Sequence, residues 1–256
     1  MPKFYKYRNF DNISAPENEH FTNNIILNSS LFFSPIKNFN DPFDCQISYR
    51  QKYSKSEIRQ FHIHYLNRNP DDKTLRLKDF MKNYGNNEDF VKLQNQLTNK
   101  LISKIGVLSL STNPNSILMW SHYANNHTGL VFQFTPIKTS KCFNLYNKID
   151  YEIKYDLLSY VTEDKNEITK LLLTKHKDWK YESEFRVIDM DYQGEKEFDK
   201  QELTSIIFGA LSKKEDIERI INLCKKNGFE HVKFSKAELS HGEFSLKFRE
   251  IVVGKS

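Results

Sequence analysis

The chain has few cysteines and no long apolar run, and both shortages exclude classes of protein. Its three cysteines, Cys45, Cys142 and Cys224, lie far apart among 256 residues. An odd and scattered set is unlike a disulfide framework or a zinc cluster, and it favours a reducing compartment. No apolar stretch approaches the roughly 20 residues that cross a bilayer, and residues 1–8 lack a signal-peptide core. We therefore expect a cytoplasmic protein with no membrane partner.

Glycine is also scarce, with eight residues in the whole chain. The sequence contains no Gly-x-Gly-x-x-Gly, no P-loop and no Gly-x-Ser-x-Gly motif, so none of the enzyme classes built on them is indicated. The histidines lack the spacing of metal ligands, and no metal site is predicted from them. Cys45 lies beside Asp41 and Asp44, which would raise the pKa of its thiol and disfavour a thiolate nucleophile.

Aromatic residues are abundant, with 20 Phe and 13 Tyr in a chain that is long enough to bury a substantial core. We predict one domain over residues 1–256. The net charge of +5 is concentrated, because the segment from Arg50 to Lys104 has twelve Lys and Arg against six Asp and Glu. Such an excess is typical of a solvated helical face, or it forms a patch for an anionic partner such as nucleic acid.

Strand and helix patterns are mixed along the chain, and they predict an α+β fold with a mixed, twisted sheet. A strand–helix–strand unit is expected over residues 205–234, with its helix ending before Gly228. Residues 52–104 are predicted to form a helical insertion, interrupted at residues 69–72 and 85–87. The other strands are predicted at residues 4–8, 106–110, 130–134, 149–155 and 244–252.

The most informative stretch runs from Lys177 to Arg186 and carries Glu182, Glu184 and Arg186 at alternate positions. If it is a strand, these three side chains share one face and Phe185 packs on the other. Two carboxylates and a guanidinium in one row indicate either a salt-bridged surface or a catalytic site.

A metal site is the alternative use of these carboxylates. Asp41 and Asp44, joined by Glu182 and Glu184, would make a set of hard oxygen ligands suited to Mg²⁺. Asp41 and its neighbours are also typical of a simple Asx turn, which needs no metal.

Polar and aromatic residues also gather between positions 109 and 123. Ser109 and Ser111 alternate with buried positions of a predicted strand, and Asn113–Pro114 is typical of a helix start. The helix brings three further side chains that could line a pocket: Trp120, His122 and Tyr123. Trp120 and Tyr123, three residues apart, could equally form an apolar face that packs on the core.

Together these motifs resemble the DUF2971 family of bacterial proteins of unknown function, over nearly the whole chain. The family name implies no activity. The residues that carry the resemblance are Tyr5-Lys-Tyr-Arg8, Phe39-Asn-Asp-Pro-Phe43, Leu108-Ser-Leu-Ser111, Met119-Trp-Ser-His-Tyr-Ala124 with Gly129, Lys177-x-Trp-x-Tyr-Glu-x-Glu-x-Arg186, and Ile206-Ile-Phe-Gly209.

A more distant resemblance is to ADP-ribosyltransferases, whose core carries an Arg or His, then a Ser-rich strand, then a Glu-x-Glu or single Glu. Arg8, Ser109 and Glu184 follow that order here. The resemblance implies an ADP-ribosyltransferase-like fold that uses NAD as its substrate, with Glu184 as the main catalytic carboxylate and Glu182 as the second. The NAD-binding residues that it implies are Tyr7, Arg8, Ser109, Ser111, Trp120, His122 and Tyr123.

Three functions therefore compete. The first is an NAD-dependent ADP-ribosyltransferase or NAD-cleaving enzyme, such as a toxin or phage-defence effector, whose acceptor could be a protein, a nucleic acid or a small molecule. The second is a metal-dependent nuclease with the segment 50–104 on the nucleic acid. The third is a non-catalytic binding or regulatory module.

Overall fold

The computed structural model describes residues 2–11, 21–68, 76–159 and 165–252, so the predicted helix break at 69–72 lies outside the described residues. The helices are α1 (Phe21–Leu27), α2 (Lys55–Arg68), α3 (Leu77–Tyr84), α4 (Asn87–Ile102), α5 (Ile117–Tyr123), α6 (Lys165–Leu172) and α7 (Lys214–Lys226). The strands are β1 (Phe4–Arg8), β2 (Ser30–Pro35), β3 (Gly106–Ser111), β4 (Leu130–Phe134), β5 (Tyr146–Lys148), β6 (Asp150–Glu152), β7 (Thr174–His176), β8 (Glu184–Asp189), β9 (Gly194–Glu197), β10 (Leu203–Phe208), β11 (Lys233–Leu239) and β12 (Leu246–Glu250).

Ten strands form one sheet, with the order β12-β11-β10-β4-β1-β3-β2-β9; β8 pairs with β3, and β5 pairs with β8. Most pairs are antiparallel, but β10 and β11 are parallel and are joined by α7, as the strand–helix–strand pattern predicted. The two short strands β6 and β7 pair with each other. The predicted α+β class is confirmed.

Alternation along β1 separates two apolar layers. Phe4 packs on the side that α1 and α7 cover, where α7 contributes apolar residues at helical spacing. Tyr5 and Tyr7 face the opposite side, against Trp120 of α5. The sheet is therefore covered on both faces near β1.

The insertion forms three helices, α2, α3 and α4, which pack on the sheet through their own apolar cluster. Ile58, Phe61, Phe80 and Phe90 are buried there together with Val107 of β3. The charged positions of the same helices point to solvent, as in the Lys92–Glu88 pair. Helices α2, α3 and α4 thus lie within the span 52–104.

A gap opens in the sheet along one edge of β3. This edge pairs with β1 at Ser111 only, and with β2 at Gly106 and Val107 only. Residues 108–110 have no strand partner on that side among the described residues. Lys6 crosses the gap, because its ammonium donates a hydrogen bond to the Ser109 carbonyl at 2.9 Å.

Two local predictions were wrong. Residues Lys177–Glu182 form a 3₁₀ helix rather than a strand, and the strand begins at Glu184 after Ser183 adopts a left-handed φ of 47°. Helix α5 begins at Ile117 instead of Asn113, because the Ser116 side chain accepts the capping hydrogen bond. In the described part of the chain, no helix combines the length and the apolar character needed to cross a membrane.

Candidate functional site

The gap beside β3 opens into a cavity of about 470 Å³, which we call the central cavity. Its size falls within the range of small-molecule sites in proteins. Strands β1 and β3, helix α5 and the loop at residues 38–44 contribute most of its wall. The residues lining it include Lys6, Tyr7, Arg8, Phe39, Asn40, Asp44, Ser109, Ser111, His122, Tyr123, Lys175, Glu182 and Glu184.

Arg186 lies at the centre of a buried group of charges under this cavity. Its side chain is fully buried. Its Nε and Nη2 donate to the two oxygens of Glu184 at 2.7 and 3.1 Å, and Nη2 also donates to Asp44 Oδ2 at 2.7 Å. Its Nη1 donates to the Leu172 carbonyl at 2.7 Å and lies 3.0 Å from Cys45 Sγ. Every nitrogen of the guanidinium is thereby bound by protein.

Lys175 is the second cation of this group. Its ammonium contacts three carboxylates: Glu182, Glu184 at 3.0 Å and Asp44 at 3.2 Å. The indole of Trp179 covers it from another side, with its ring centre 5.1 Å from Nζ. We call the set Asp44, Lys175, Glu182, Glu184 and Arg186 the ion cluster.

The two glutamates of the ion cluster differ in their electrostatics. For Glu184, burial acts to raise the pKa, but Arg186 and Lys175 prevail and lower it to about 2. For Glu182, burial raises the pKa above its ordinary value although Lys175 opposes this. Glu184 is therefore a permanent anion that anchors two cations, whereas Glu182 is the carboxylate better able to take up a proton.

Neighbouring hydroxyls fix both glutamates in place. Tyr123 of α5 donates to Glu182 Oε1 at 2.6 Å, and Ser111 donates to the Glu182 carbonyl at 2.6 Å. Tyr151 accepts the Glu184 backbone N–H at 2.8 Å. The turn at Ser183 makes this possible, because it brings the end of the 3₁₀ helix and the start of β8 to the same cavity.

Two cationic side chains of β1, Lys6 and Arg8, also line the central cavity. Burial, helped by the neighbouring Arg8, lowers the pKa of Lys6 to about 8. Arg8 donates from Nε to Thr22 Oγ1 at 3.3 Å, and no described carboxylate forms an ion pair with it. The cavity thus presents carboxylates and, besides Lys175, the two cations Lys6 and Arg8.

The structure brings together most of the residues predicted for the site, but not Trp120. Trp120 is fully buried, stacks edge-on against Tyr7, and donates its indole N–H to the Pro114 carbonyl at 2.8 Å. It packs on the core, as the alternative interpretation held, and it cannot stack on a ligand. His122 remains on the cavity wall, with Nδ1 3.0 Å from the Tyr181 hydroxyl.

Two charged residues of the site were missed from the sequence. Lys6 lies inside the Tyr-Lys-Tyr-Arg motif, two residues before Arg8. Side chains two apart on a strand share a face, so Arg8 could have identified Lys6 as a site residue. Lys175 precedes the 177–186 motif, and nothing in its spacing marks it as the partner of Glu182 and Glu184. Both residues matter because they set the charge of the cavity.

The geometry disfavours the magnesium site that Asp41, Asp44, Glu182 and Glu184 were predicted to form. The Lys175 ammonium occupies the position between the other three carboxylates, where a cation would bind. Asp41 lies outside this group, and its Oδ1 accepts the Phe43 N–H at 2.9 Å in an Asx turn. Among the described residues, no group of three metal-ligating side chains has metal-site geometry.

A second cavity of about 580 Å³ lies beyond Lys175, which is the one residue that lines both cavities. The loop at residues 38–44 separates the two, with Asn40 and Asp44 facing the central cavity and Asp41 and Phe43 facing the second. Trp179 lines the second cavity as well.

Comparison with known proteins places one segment of the chain in a family. Residues 119–187 match the family described as protein of unknown function (DUF2971), which confirms the resemblance over this segment; the motifs before and after it lie outside the match. The matched segment includes Tyr123, Lys175, Glu182, Glu184 and Arg186, and hence four of the five members of the ion cluster. No curated protein and no solved structure matches the chain significantly. The resemblance to ADP-ribosyltransferases stays a prediction.

Proposed function

With residues 119–187 matched to DUF2971, we propose that the chain is an enzyme that cleaves NAD in the central cavity and transfers ADP-ribose to an acceptor or to water. One observation carries the proposal. Arg8, Ser109 and Glu184 follow the sequence order that the resemblance to ADP-ribosyltransferases implies. All three line the same cavity, together with Glu182, although up to 176 residues of sequence separate them.

The charges of the cavity suit a dinucleotide. Lys6 and Arg8 supply positive charge for the two phosphates, which are the most anionic part of NAD. Tyr7, His122 and Tyr123 also line the cavity and add aromatic surface. No glycine-rich loop is required for this mode of binding, because side chains rather than backbone N–H groups meet the phosphates.

The reaction breaks the bond between ribose C1′ and the nicotinamide nitrogen. The electron pair of that bond goes to the nicotinamide ring, which leaves as a neutral molecule, and positive charge develops on the ribose. An oxygen or nitrogen of the acceptor then forms the new bond to C1′ and gives up a proton. Negative carboxylates near C1′ stabilise the developing charge.

Glu182 is the residue best suited to receive that proton. Burial raises its pKa, and it lines the central cavity. Glu184 instead holds Lys175 and Arg186 in place, so it acts as a positioning residue. This exchanges the roles that the sequence alone favoured for the two glutamates.

The test measures nicotinamide released from NAD by the purified chain and by two variants. We expect Glu182→Gln to fold normally and to lose about 10²-fold or more in kcat, the typical contribution of a proton-transfer residue. Glu184→Gln should lose folding stability as well as activity. Glu230→Gln, at an exposed position, serves as the matched control and should behave as the parent chain.

Other outcomes would identify the competing functions. Stabilisation by NAD without nicotinamide release would indicate a binding module. A chain that neither binds nor cleaves NAD would contradict the proposal. Full activity in Glu182→Gln would reject Glu182 as the proton acceptor.

A further inference from the structure

Asp44 is bound by protein through one carboxylate oxygen only. Its Oδ2 accepts from Arg186 Nη2 at 2.7 Å and lies 3.2 Å from Lys175 Nζ. Its Oδ1 is buried and has no hydrogen-bond partner among the described residues. The residue lines the central cavity, and its side chain is only 2% exposed.

The surrounding loop prevents Asp44 from relaxing into another position. Its backbone N–H donates to the Asp41 carbonyl at 3.1 Å. The next residue, Cys45, has a φ of 54°, which is uncommon for a residue with a side chain. Cys45 Sγ also lies against Arg186 Nη1 at 3.0 Å. Backbone strain of this kind persists where the surroundings hold it, and it is frequent at ligand sites.

Burying a carboxylate oxygen without a hydrogen-bond donor is unfavourable, because the oxygen loses its hydrogen bonds to water and forms none with the protein. The other polar atoms of the ion cluster all have partners, including every nitrogen of Arg186. The unmet acceptor is therefore Oδ1 of Asp44, a residue that lines the central cavity. A ligand in the cavity is the available source of a donor.

We propose that Asp44 is a specificity-determining residue whose Oδ1 accepts a hydrogen bond from the ligand, given by a hydroxyl or an amide N–H. An ionised carboxylate accepts hydrogen bonds and donates none, so the ligand must supply a hydrogen-bond donor at this point. A ligand that presents an acceptor or a methyl group at this point is rejected. The choice of NAD as the probe rests on the function proposed above.

The proposed function places the nicotinamide end of NAD near the carboxylates. That end offers donors of both kinds, on the nicotinamide amide and on the adjacent ribose, and analogues separate them. The experiment measures the dissociation constants of four dinucleotides for the full chain by stopped-flow mixing, which records binding before turnover. The probes are NAD, its 3-acetylpyridine analogue, in which a methyl group replaces the amide nitrogen, and the 2′-deoxy and 3′-deoxy analogues of the nicotinamide ribose.

We expect at least one analogue to bind the parent chain about 10-fold or more weakly than NAD, the typical effect of one hydrogen bond to a charged group. In Asp44→Asn the ratio of the two dissociation constants, that of the analogue divided by that of NAD, should fall to about one. The new side chain keeps its oxygen on Arg186 and Lys175 and turns its NH₂ group to the cavity. The analogue that is penalised identifies the donor as the amide or as one hydroxyl.

Because the analogue and NAD are compared in the same protein, a change in overall affinity caused by the substitution cancels in the ratio of their dissociation constants. Asp41→Asn is the matched variant, because Asp41 lies in the same loop but faces the second cavity, and the ratio should be unchanged in it. If Asp44→Asn does not fold, the parent chain still decides: equal affinity for NAD and all three analogues would overturn the inference.

The two proposals can fail separately. A penalty that depends on Asp44 in a chain that releases no nicotinamide would refute NAD cleavage and leave the role of Asp44 standing. Nicotinamide release with no penalty for any analogue would support NAD cleavage and refute the role of Asp44. If none of the four dinucleotides binds, both are wrong.

Discussion

The chain concentrates charge in two regions that are built in opposite ways. In the ion cluster, each of the five side chains is at most 6% exposed and contacts at least one other member of the cluster. In the helical insertion, Lys92 and Glu88 form a pair whose side chains are 61% and 81% exposed. Exposed pairs contribute little to stability, whereas removing one member of a buried set leaves charges that neither water nor protein compensates.

The difference shows why a surplus of lysine and arginine is a poor guide to the site. The insertion accounts for the basic excess of the chain, yet its described charges lie at solvent-facing positions around an apolar cluster. The ion cluster combines three carboxylates with two cations and adds almost nothing to the net charge. Burial and mutual contact, rather than the count of charges, distinguish the candidate site. Three predictions test this contrast.

The largest effect is expected from Arg186→Met. The variant leaves Glu184 and Asp44 without their main partner, and loss of one member of a buried ion pair costs about 3–5 kcal/mol in the free energy of unfolding. Denaturant unfolding measures this, with Arg59→Met on the exposed face of α2 as the matched control. A loss of under about 1 kcal/mol would show that the ion cluster is no more important to stability than the insertion.

The second effect is a loss of stability in acid. The folded pKa of Glu184 is about 2, below the ordinary 4.5, so the folded chain binds this proton less readily than the unfolded chain. The resulting stabilisation is complete above about pH 4.5 and disappears as the pH falls to about 2, a change of about 3 kcal/mol.

Unfolding of the parent chain and of Glu184→Gln between about pH 5 and pH 2, roughly the span in which that carboxylate titrates, would measure this loss. The variant lacks the titrating carboxylate, so its stability should fall less steeply with decreasing pH. Parallel profiles for the two proteins would contradict the low pKa of Glu184.

The smallest effect is expected from reversing charges in the insertion. Replacing Arg76, Lys78 and Lys82 by Glu should change the free energy of unfolding by less than about 1 kcal/mol in total, because all three side chains are exposed. Nicotinamide release from NAD should not change. If the parent chain binds an oligonucleotide with a strong salt dependence and the variant does not, the segment 50–104 has the anionic partner that its charge allows.

Several parts of the fold could be predicted because local pattern determines them. The alternation of β1 and β3, the strand–helix–strand unit around α7 and the helical spacing of the insertion all follow from periodicity. The start of α5 was placed too early, because Asn113–Pro114 and Ser116 are both good capping sequences and only one can be used. Where two capping sequences are equally good, the packing of the surrounding structure decides which of them begins the helix.

The site was predicted in outline, but its internal roles were not. Glu182, Glu184 and Arg186 were recognised from spacing, although the assumed strand is broken at Ser183. Asp44 and Lys175 come from segments with no fixed spacing to Arg186, so their contacts depend on tertiary structure. The gap beside β3 depends on where neighbouring strands stop pairing, which periodicity does not reveal.

The position of Trp179 has an optical consequence. The chain has two tryptophans, and Trp120 is sealed in the core, whereas Trp179 lies over the Lys175 ammonium on the wall of the second cavity. The emission of an indole responds to nearby charge and polarity. The fluorescence of Trp179 therefore reports on the electrostatic state of the carboxylates that Lys175 binds, and Trp120 adds a background that changes little.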